Sequence, residues 1–421
     1  MTAELDWQSL AYVETEFNEQ YNQMQRHIDM ATALESFHRR CINDSSLSKE
    51  VKLESFKLMM ASVGVEGEFS SEGYSTENAV SDLLAKLWKA IKDGLAKLLG
   101  WFKQLWNQYL SKAAFLVRKA DDIHYKAANL SKSFANPKIK LHQLLWIHID
   151  KQPPNANQML DAVKAYDNAL TALTNKVVTE NLNNTIAIYK GVFKSGVAFD
   201  LDYHLGRIEH CNPRYSVYLE YADLCTEGVD ANTTKLIIPD KHKVTMSPVK
   251  LPAHKRLYFV SYIDSDDYDS TAHSTHAAVR SANRLFTESQ YTKAYVDYGP
   301  NKPSVVKTEA VDALRLARED IMTISHSLRD VLKVVVETDH NRIACERQWT
   351  EFMKCADTYI RNPHMNEKDA TEDDVRIQMI ALLAQASRDT MMNYIKSVQS
   401  ICSNALATGH AILEYCDVSL N

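Results

Sequence analysis

The stretch Ser75–Tyr109, STENAVSDLLAKLWKAIKDGLAKLLGWFKQLWNQY, constrains the chain more than any other. Val80, Leu84, Leu87, Ile91, Leu95, Leu98, Phe102, Leu105 and Tyr109 follow one another in steps of three and four, which sets them on one face of a helix. Leu83, Trp88, Leu99 and Trp106 widen that apolar stripe, while Lys86, Lys89, Lys92, Lys97 and Lys103 fall mostly off it. A helix with so wide a stripe and so basic a back must lay the stripe against something. Its own fold or a partner protein, DNA, and an anionic lipid surface are the three candidates.

Charge divides the chain at the start of this helix. Residues 1–78 hold 6 Lys and Arg against 14 Asp and Glu, which leaves 42 against 40 of the chain's 48 and 54 for the remainder. Residues 79–119 alone hold 8 basic residues against 2 acidic ones. An acidic leader therefore precedes a neutral to slightly basic body. Between them, Val63–Asn78 (VGVEGEFSSEGYSTEN) has too little apolar periodicity to fold and is expected to be an exposed, protease-accessible linker. Ser75 or Thr76 is placed to cap the helix that follows.

One short pattern recurs in the leader: a small residue, any residue, then Glu. It occurs as Ala33-Leu34-Glu35, Ser48-Lys49-Glu50, Gly64-Val65-Glu66, Ser70-Ser71-Glu72 and Ser75-Thr76-Glu77. On its own such spacing is ordinary in a Glu-rich segment and includes common helix caps. Joined to a Lys/Trp/Leu amphipathic helix that enters a helical body, it resembles the internal head proteins of giant tailed bacteriophages. The resemblance covers about residues 25–130. It implies a structural virion protein made in the host bacterial cytoplasm as a precursor. It further implies a prohead protease cutting after Glu35, Glu66, Glu72 or Glu77, with Glu50 less favoured inside a helix. Other capsid or inner-head proteins are then partners, with packaged DNA as a non-specific contact. The mature protein is expected inside the capsid.

Eleven glycines and ten prolines in 421 residues favour long helices over turn-rich sheets. Helices are expected around Asn18–Phe37 and over Lys49–Val63, with a polar break at Cys41–Ser48. The amphipathic helix is expected to run on through Ser133 and to end at Asn136-Pro137. Lys138–Asp150 suits either a strand or a buried helix. From Asn157 the spacing of Leu160, Val163, Tyr166, Leu170 and Leu173 predicts a helix, which could extend over Leu182–Phe193. Thr233–Pro252 and Arg256–Ile263 read as strands of a small antiparallel sheet, with Pro239-Asp240 as a hairpin turn. His273–Ser289 suits a short helix. Val305–Arg361 reads as one long or broken helix on Ala310, Leu314, Ala317, Ile321, Ile324, Leu328, Leu332 and Val335. Asn362-Pro363 turns the chain, and Glu372–Tyr415 returns on Val375, Met379, Leu383, Ala386, Ile395, Val398, Ile401 and Ala405 as the second arm of a helical hairpin.

The expected fold is mainly α with a small antiparallel sheet in the middle (α+β) and a long C-terminal helical hairpin. Its expected divisions are an acidic leader 1–77, a basic amphipathic segment 78–135, an α+β domain 136–304 and a hairpin domain 305–421.

Chemistry is sparsely marked. There is no Walker A, dinucleotide-binding, zincin or nucleophile-elbow motif. Gly191–Gly196 has the flavour of a phosphate loop but the wrong spacing. His273 and His276 read as surface histidines, and Asp264, Asp266, Asp267 and Asp269 as a solvated turn that lacks the rest of an EF-hand. Seven cysteines without a CxxC pair read as reduced thiols, with no metal and no cofactor expected. MTAELDWQSL has neither the basic start nor the apolar core of a secretion signal, and no apolar run reaches bilayer length. A structural rather than catalytic role is expected. The alternative is a membrane-active or host-directed effector that uses the amphipathic helix 78–110.

Overall fold

The computed structural model describes residues 7–37, 46–62, 76–130, 136–141, 147–150, 152–173, 218–229, 242–262, 292–299, 310–337 and 373–421, with single residues at 343, 346 and 350. The chain forms two compact units, 1–108 and 109–421, and the boundary falls inside one continuous helix.

The first unit contains α1 (Trp7–Phe37), α2 (Lys49–Ser62) and the first half of α3 (Thr76–Ala128). Helix α1 starts earlier than the Asn18 expected, because Val13 and Phe17 already belong to its buried face. Helix α2 covers the expected span, and Ser48 caps it by accepting a 3.4 Å hydrogen bond from the Val51 backbone N–H. Helix α3 is a single 53-residue rod ending at Ala128, with no break at Tyr109.

In the second unit β1 (Lys138–Leu141) pairs antiparallel with β6 (Val311–Leu314), in register Lys138↔Leu314 to Leu141↔Val311. This corrects the expected helix from Val305, and it gives the protein a second small sheet. The sequence VDAL fits the steps of three and four that Ala310 and Leu314 suggested. Its alternation instead matches KIKL, and Lys140 meets Asp312 across the ladder at 2.8 Å. The helix begins only at Arg318, as α6 (Arg318–Glu337), with Glu319 and Asp320 in its first turn where the helix dipole favours acids.

Helix α4 (Ala156–Ala172) opens on a full capping box between Asn155 and Gln158. A short α5 (Tyr218–Leu224) then leads into β2 (Glu227–Val229), β3 (His242–Met246), β4 (Lys255–Tyr262) and β5 (Lys293–Tyr298). These four strands form an antiparallel sheet in the order β2-β3-β4-β5. The predicted pairing of the two β-rich segments is present, with His242↔Tyr262 through Met246↔Tyr258 in register. Its turn spans Ser247–His254 and contains a 3-10 turn at Pro252–His254. Pro239-Asp240 lies outside the described residues, as do Leu182–Phe193, Gly191–Gly196, Asp264–Asp269, His273–Ser289 and Asn362-Pro363.

Helix α7 (Asp373–Leu420) is the axis of this unit. From Met392 to Leu420 none of its residues is exposed, as expected for a helix packed on all sides. Helix α3 runs parallel to it: Tyr109 Oη donates to Gln399 O (3.4 Å), Lys119 bonds Glu414, and Lys126 meets Asp417 at 3.0 Å. Helix α6 runs antiparallel to it, with Arg315 just before α6 bonded to Ser419 O (2.7 Å) and Leu328 against Gly409. The last two described helices are thus antiparallel, and the Asn362-Pro363 turn expected between them lies outside the described residues. Tyr166 of α4 reaches Thr408 at 3.3 Å.

Strand β5, an edge of its sheet, is covered by the same helix. Ser397 Oγ accepts from Ala294 N (3.2 Å) and Ser400 Oγ from Val296 N (2.9 Å). These serines occupy backbone donors that would otherwise invite another strand.

Candidate functional site

The residues singled out for function all fall within the span 1–108 of the first unit, in which α1 and α3 meet. Along α1, Val13, Phe17 and Met24 are spaced by four and seven and are buried. Their counterparts lie on α3. The Phe17 and Phe102 rings are 6.4 Å apart, and Tyr12 stands edge-on to Trp101 at 6.5 Å. The Met24 side chain passes over Gly94, where a Cβ would sit 3.5 Å from its Cγ. As α1 advances from Phe17 to Met24, α3 recedes from Phe102 to Gly94, so the two helices are antiparallel.

The described part of the α3 stripe is buried: Leu98, Phe102, Leu105 and Trp106 are each at most 2% exposed. Phe102 also packs on Trp106 one turn later, with ring centroids 5.4 Å apart. The side chains of Leu84, Leu87, Ile91 and Leu95 lie outside the described residues. Lys89, Lys97 and Lys103 are exposed, and the side chains of Lys86 and Lys92 lie outside the described residues. Among the described side chains of α3, these four apolar residues are buried and these three lysines are exposed.

What covers it is the acidic leader itself. Glu14 and Glu16 are half-buried on α1 and Glu19 is exposed. Periodicity in the leader was too short to identify Val13, Phe17 and Met24 in advance. Their spacing of four and seven is the only sequence signal they carry.

The candidate cleavage positions fall between cover and stripe. Glu35 lies near the end of α1 and Glu77 in the first turn of α3, while Glu66 and Glu72 lie outside the described residues. Glu50 sits in the first turn of α2, behind its Ser48 cap, so the Ser48-Lys49-Glu50 pattern is accounted for as a helix start.

Among the described residues no group of His, Cys, Asp and Glu could hold a metal ion, and no helix is long and apolar enough to cross a membrane. Cys225, Cys402 and Cys416 are free and buried, and burial pushes each thiol up to about 12.

The family model of the phiKZ-like phage internal head proteins matches residues 30–200. No curated protein and no solved structure matches the chain. The family match spans all four favoured glutamates, helix α3, β1 and α4. The likeness is to internal head proteins of giant phages and covers less than half of the chain.

Proposed function

We propose, from the likeness of residues 30–200 to the phiKZ-like phage internal head proteins, that this chain is a structural component of the inner head, made as a precursor. A prohead protease cuts it after Glu35, Glu66, Glu72 or Glu77, and the mature chain is packaged with the genome. Its role is to bind and fill rather than to catalyse.

One observation carries this reading. The buried leader residues Val13, Phe17 and Met24 all precede the candidate cuts, and the α3 stripe that they cover follows them. Any single cut therefore turns an intramolecular helix contact into an intermolecular one. The tethered helix faces its partner at an effective concentration on the order of millimolar, and a freed helix loses that advantage on dilution. An isolated helix of this kind is also marginal in water.

Loss of the leader removes 14 acidic and 6 basic residues, a change of eight charges toward positive. What remains presents an apolar face around Leu98 and Phe102 together with the exposed Lys89, Lys97 and Lys103. Such a face suits inner-head proteins through its stripe and DNA phosphates through its lysines.

Cleavage after Glu35 or Glu77 requires a terminal helical turn to fray, the least costly part of a helix to open. The test is the amino-terminal residue of the protein in purified virions. A start at Gly73 or Asn78, with residues 1–60 absent, is expected; abundant peptides from 1–60 in mature particles would falsify the precursor reading. Duplex DNA binding by the trimmed chain is expected to be tighter and more salt-dependent than that of the precursor.

A further inference from the structure

Among the described residues, three non-glycine positions have positive φ: Asp150 (50°), Ala253 (63°) and His254 (58°). All three belong to one place in the second unit. Alanine there has no polar side chain to favour the left-handed region, so the conformation is held by its surroundings.

Those surroundings are backbone hydrogen bonds from three separate segments. Ile149 and Gln152 exchange bonds of 2.9 and 3.0 Å across Asp150, Ala253 N donates to His148 O at 2.8 Å, and Gly299 N donates to His254 O at 2.7 Å. A Cβ on Gly299 would approach that same His254 oxygen to 3.3 Å, so glycine permits the closure.

The pinned segments enclose a cleft of about 110 Å³, lined by Ile149, Asp150, Lys250, His254, Lys255 and Arg256 among others. Three permanent cations and an imidazole thus face one carboxylate. Lys250 Nζ bonds Asp150 at 2.5 Å with both side chains half exposed. Arg256 spends Nη1 on the carbonyls of Ser247 and Pro248, which fixes the plane of its guanidinium and leaves the other donors of its fork. Lys255 is bonded to Asn404 and lies 5.9 Å over the Tyr298 ring. The Lys250 hydrogen bond above all, and then the charges of Lys250, His254 and Arg256, hold the Asp150 carboxyl below the usual carboxylate range. The cleft already attracts one anionic group, the protein's own.

We infer that this cleft is a phosphate site, in which Lys250 and Arg256 engage the oxygens of one phosphate group and Asp150 competes with it for Lys250. An open cleft of this size has room to admit a phosphate group. A free phosphate and a phosphodiester of a nucleic-acid backbone offer the same oxygens, and the backbone source gives sequence-independent, salt-sensitive binding. The site lies outside the leader–helix contact, so it stands or falls independently of precursor processing.

The test uses the full chain at constant ionic strength, with chloride replaced by inorganic phosphate and the melting temperature recorded. The second arm measures binding of a fluorescent DNA duplex by anisotropy. Wild type is expected to show a saturable, phosphate-dependent rise in melting temperature. Lys250→Gln is expected to weaken phosphate at least tenfold. Asp150→Asn, which removes the competitor, is expected to tighten it several-fold. Both substitutions alter half-exposed side chains, and their melting temperatures without phosphate check that the fold is kept. In the duplex arm, a salt slope lower by about 1 in Lys250→Gln identifies a backbone phosphate as the ligand. An unchanged duplex slope together with lost phosphate binding identifies a free anion. Absence of saturation in wild type overturns the proposal, and so does weakening of phosphate by Asp150→Asn.

Discussion

The two halves of α3 belong to one helix but are held in different ways. Its first half is buried through aromatic and aliphatic contacts with α1: Phe17 on Phe102, Tyr12 on Trp101 and Met24 over Gly94. Its second half buries Ala113, Leu116, Ala120, Ile123 and Ala127 as well, and adds groups of fixed direction toward α6 and α7. Lys119 bonds Glu414, Lys126 meets Asp417, Arg329 reaches Asp121 at 3.4 Å, and Arg318 donates to Ala128 O at 2.6 Å at the helix end. Apolar burial is non-directional and scales with area, so it can be surrendered and re-formed against another apolar face. A network of directional bonds is lost with its one partner. The comparison separates a cover suited to exchange from a core suited to permanence.

The largest effect expected from breaking that comparison comes from Phe102→Ala. Truncation of a buried Phe costs about 3–5 kcal/mol. Hydrogen exchange is expected to show lost protection over residues 7–108, with 109–421 keeping theirs. Equal loss in both units would mean that the first half of α3 is as much a part of the permanent core as the second.

Ser397→Ala and Ser400→Ala probe the other side. Each leaves a β5 backbone donor without its serine partner, at a cost of about 1–3 kcal/mol. The exchange signature is expected in Lys293–Tyr298 and α7, with α1 unaffected.

How far these elements could be read from the sequence depends on how local their causes are. Helix α3 was legible because its period persists over about 30 residues, and α4 because its stripe lies within one short segment. Strand β6 was not, since Val311–Leu314 satisfies a helical spacing by itself and becomes a strand only opposite Lys138–Leu141. In the described part of α7 the positions Ile395, Val398, Ile401 and Ala405 were legible as its apolar stripe, but the absence of exposed residues over Met392–Leu420 was not. Ser397, Ser400 and Thr408 look like a solvent face until β5 and α4 supply their partners. The cleft is illegible for the same reason, because Asp150, Arg256 and Gly299 are brought together only by the folded chain.

His410 sharpens the contrast through pH. Burial first, and then the charges of Lys119 and Lys112, lower its pKa, while Glu414 at 3.6 Å acts in the opposite direction. The folded state therefore binds fewer protons than the unfolded state below the ordinary histidine pKa of 6.5. Stability is full above that pH and is lost as pH falls toward the lowered value. Because the ring still meets solvent, the slope is expected to stay below the ceiling of about 1.4 kcal/mol per pH unit. His410→Gln is expected to flatten the stability profile of residues 109–421 below pH 6.5. An unchanged profile would mean that His410 is not the group responsible.

The smallest effect concerns backbone preference. The first half of α3 carries Gly94 and Gly100, whereas residues 109–128 contain no glycine. A Cβ at Gly100 would meet nothing within 4 Å, so alanine is sterically free there. Gly100→Ala is expected to stabilise the first unit by about 0.5–1 kcal/mol, through helix propensity alone. The gain should appear as slower exchange around residues 94–106 and leave Tyr109–Ala128 unchanged. Because the substitution touches no neighbour, any effect on the proposed trimming would come from helix stability and not from altered contacts. If the chain is cut as proposed, slower trimming after Glu77 with unchanged trimming after Glu66 would show that cleavage waits for the first turn of α3 to fray. Equal rates at both sites would show that it does not.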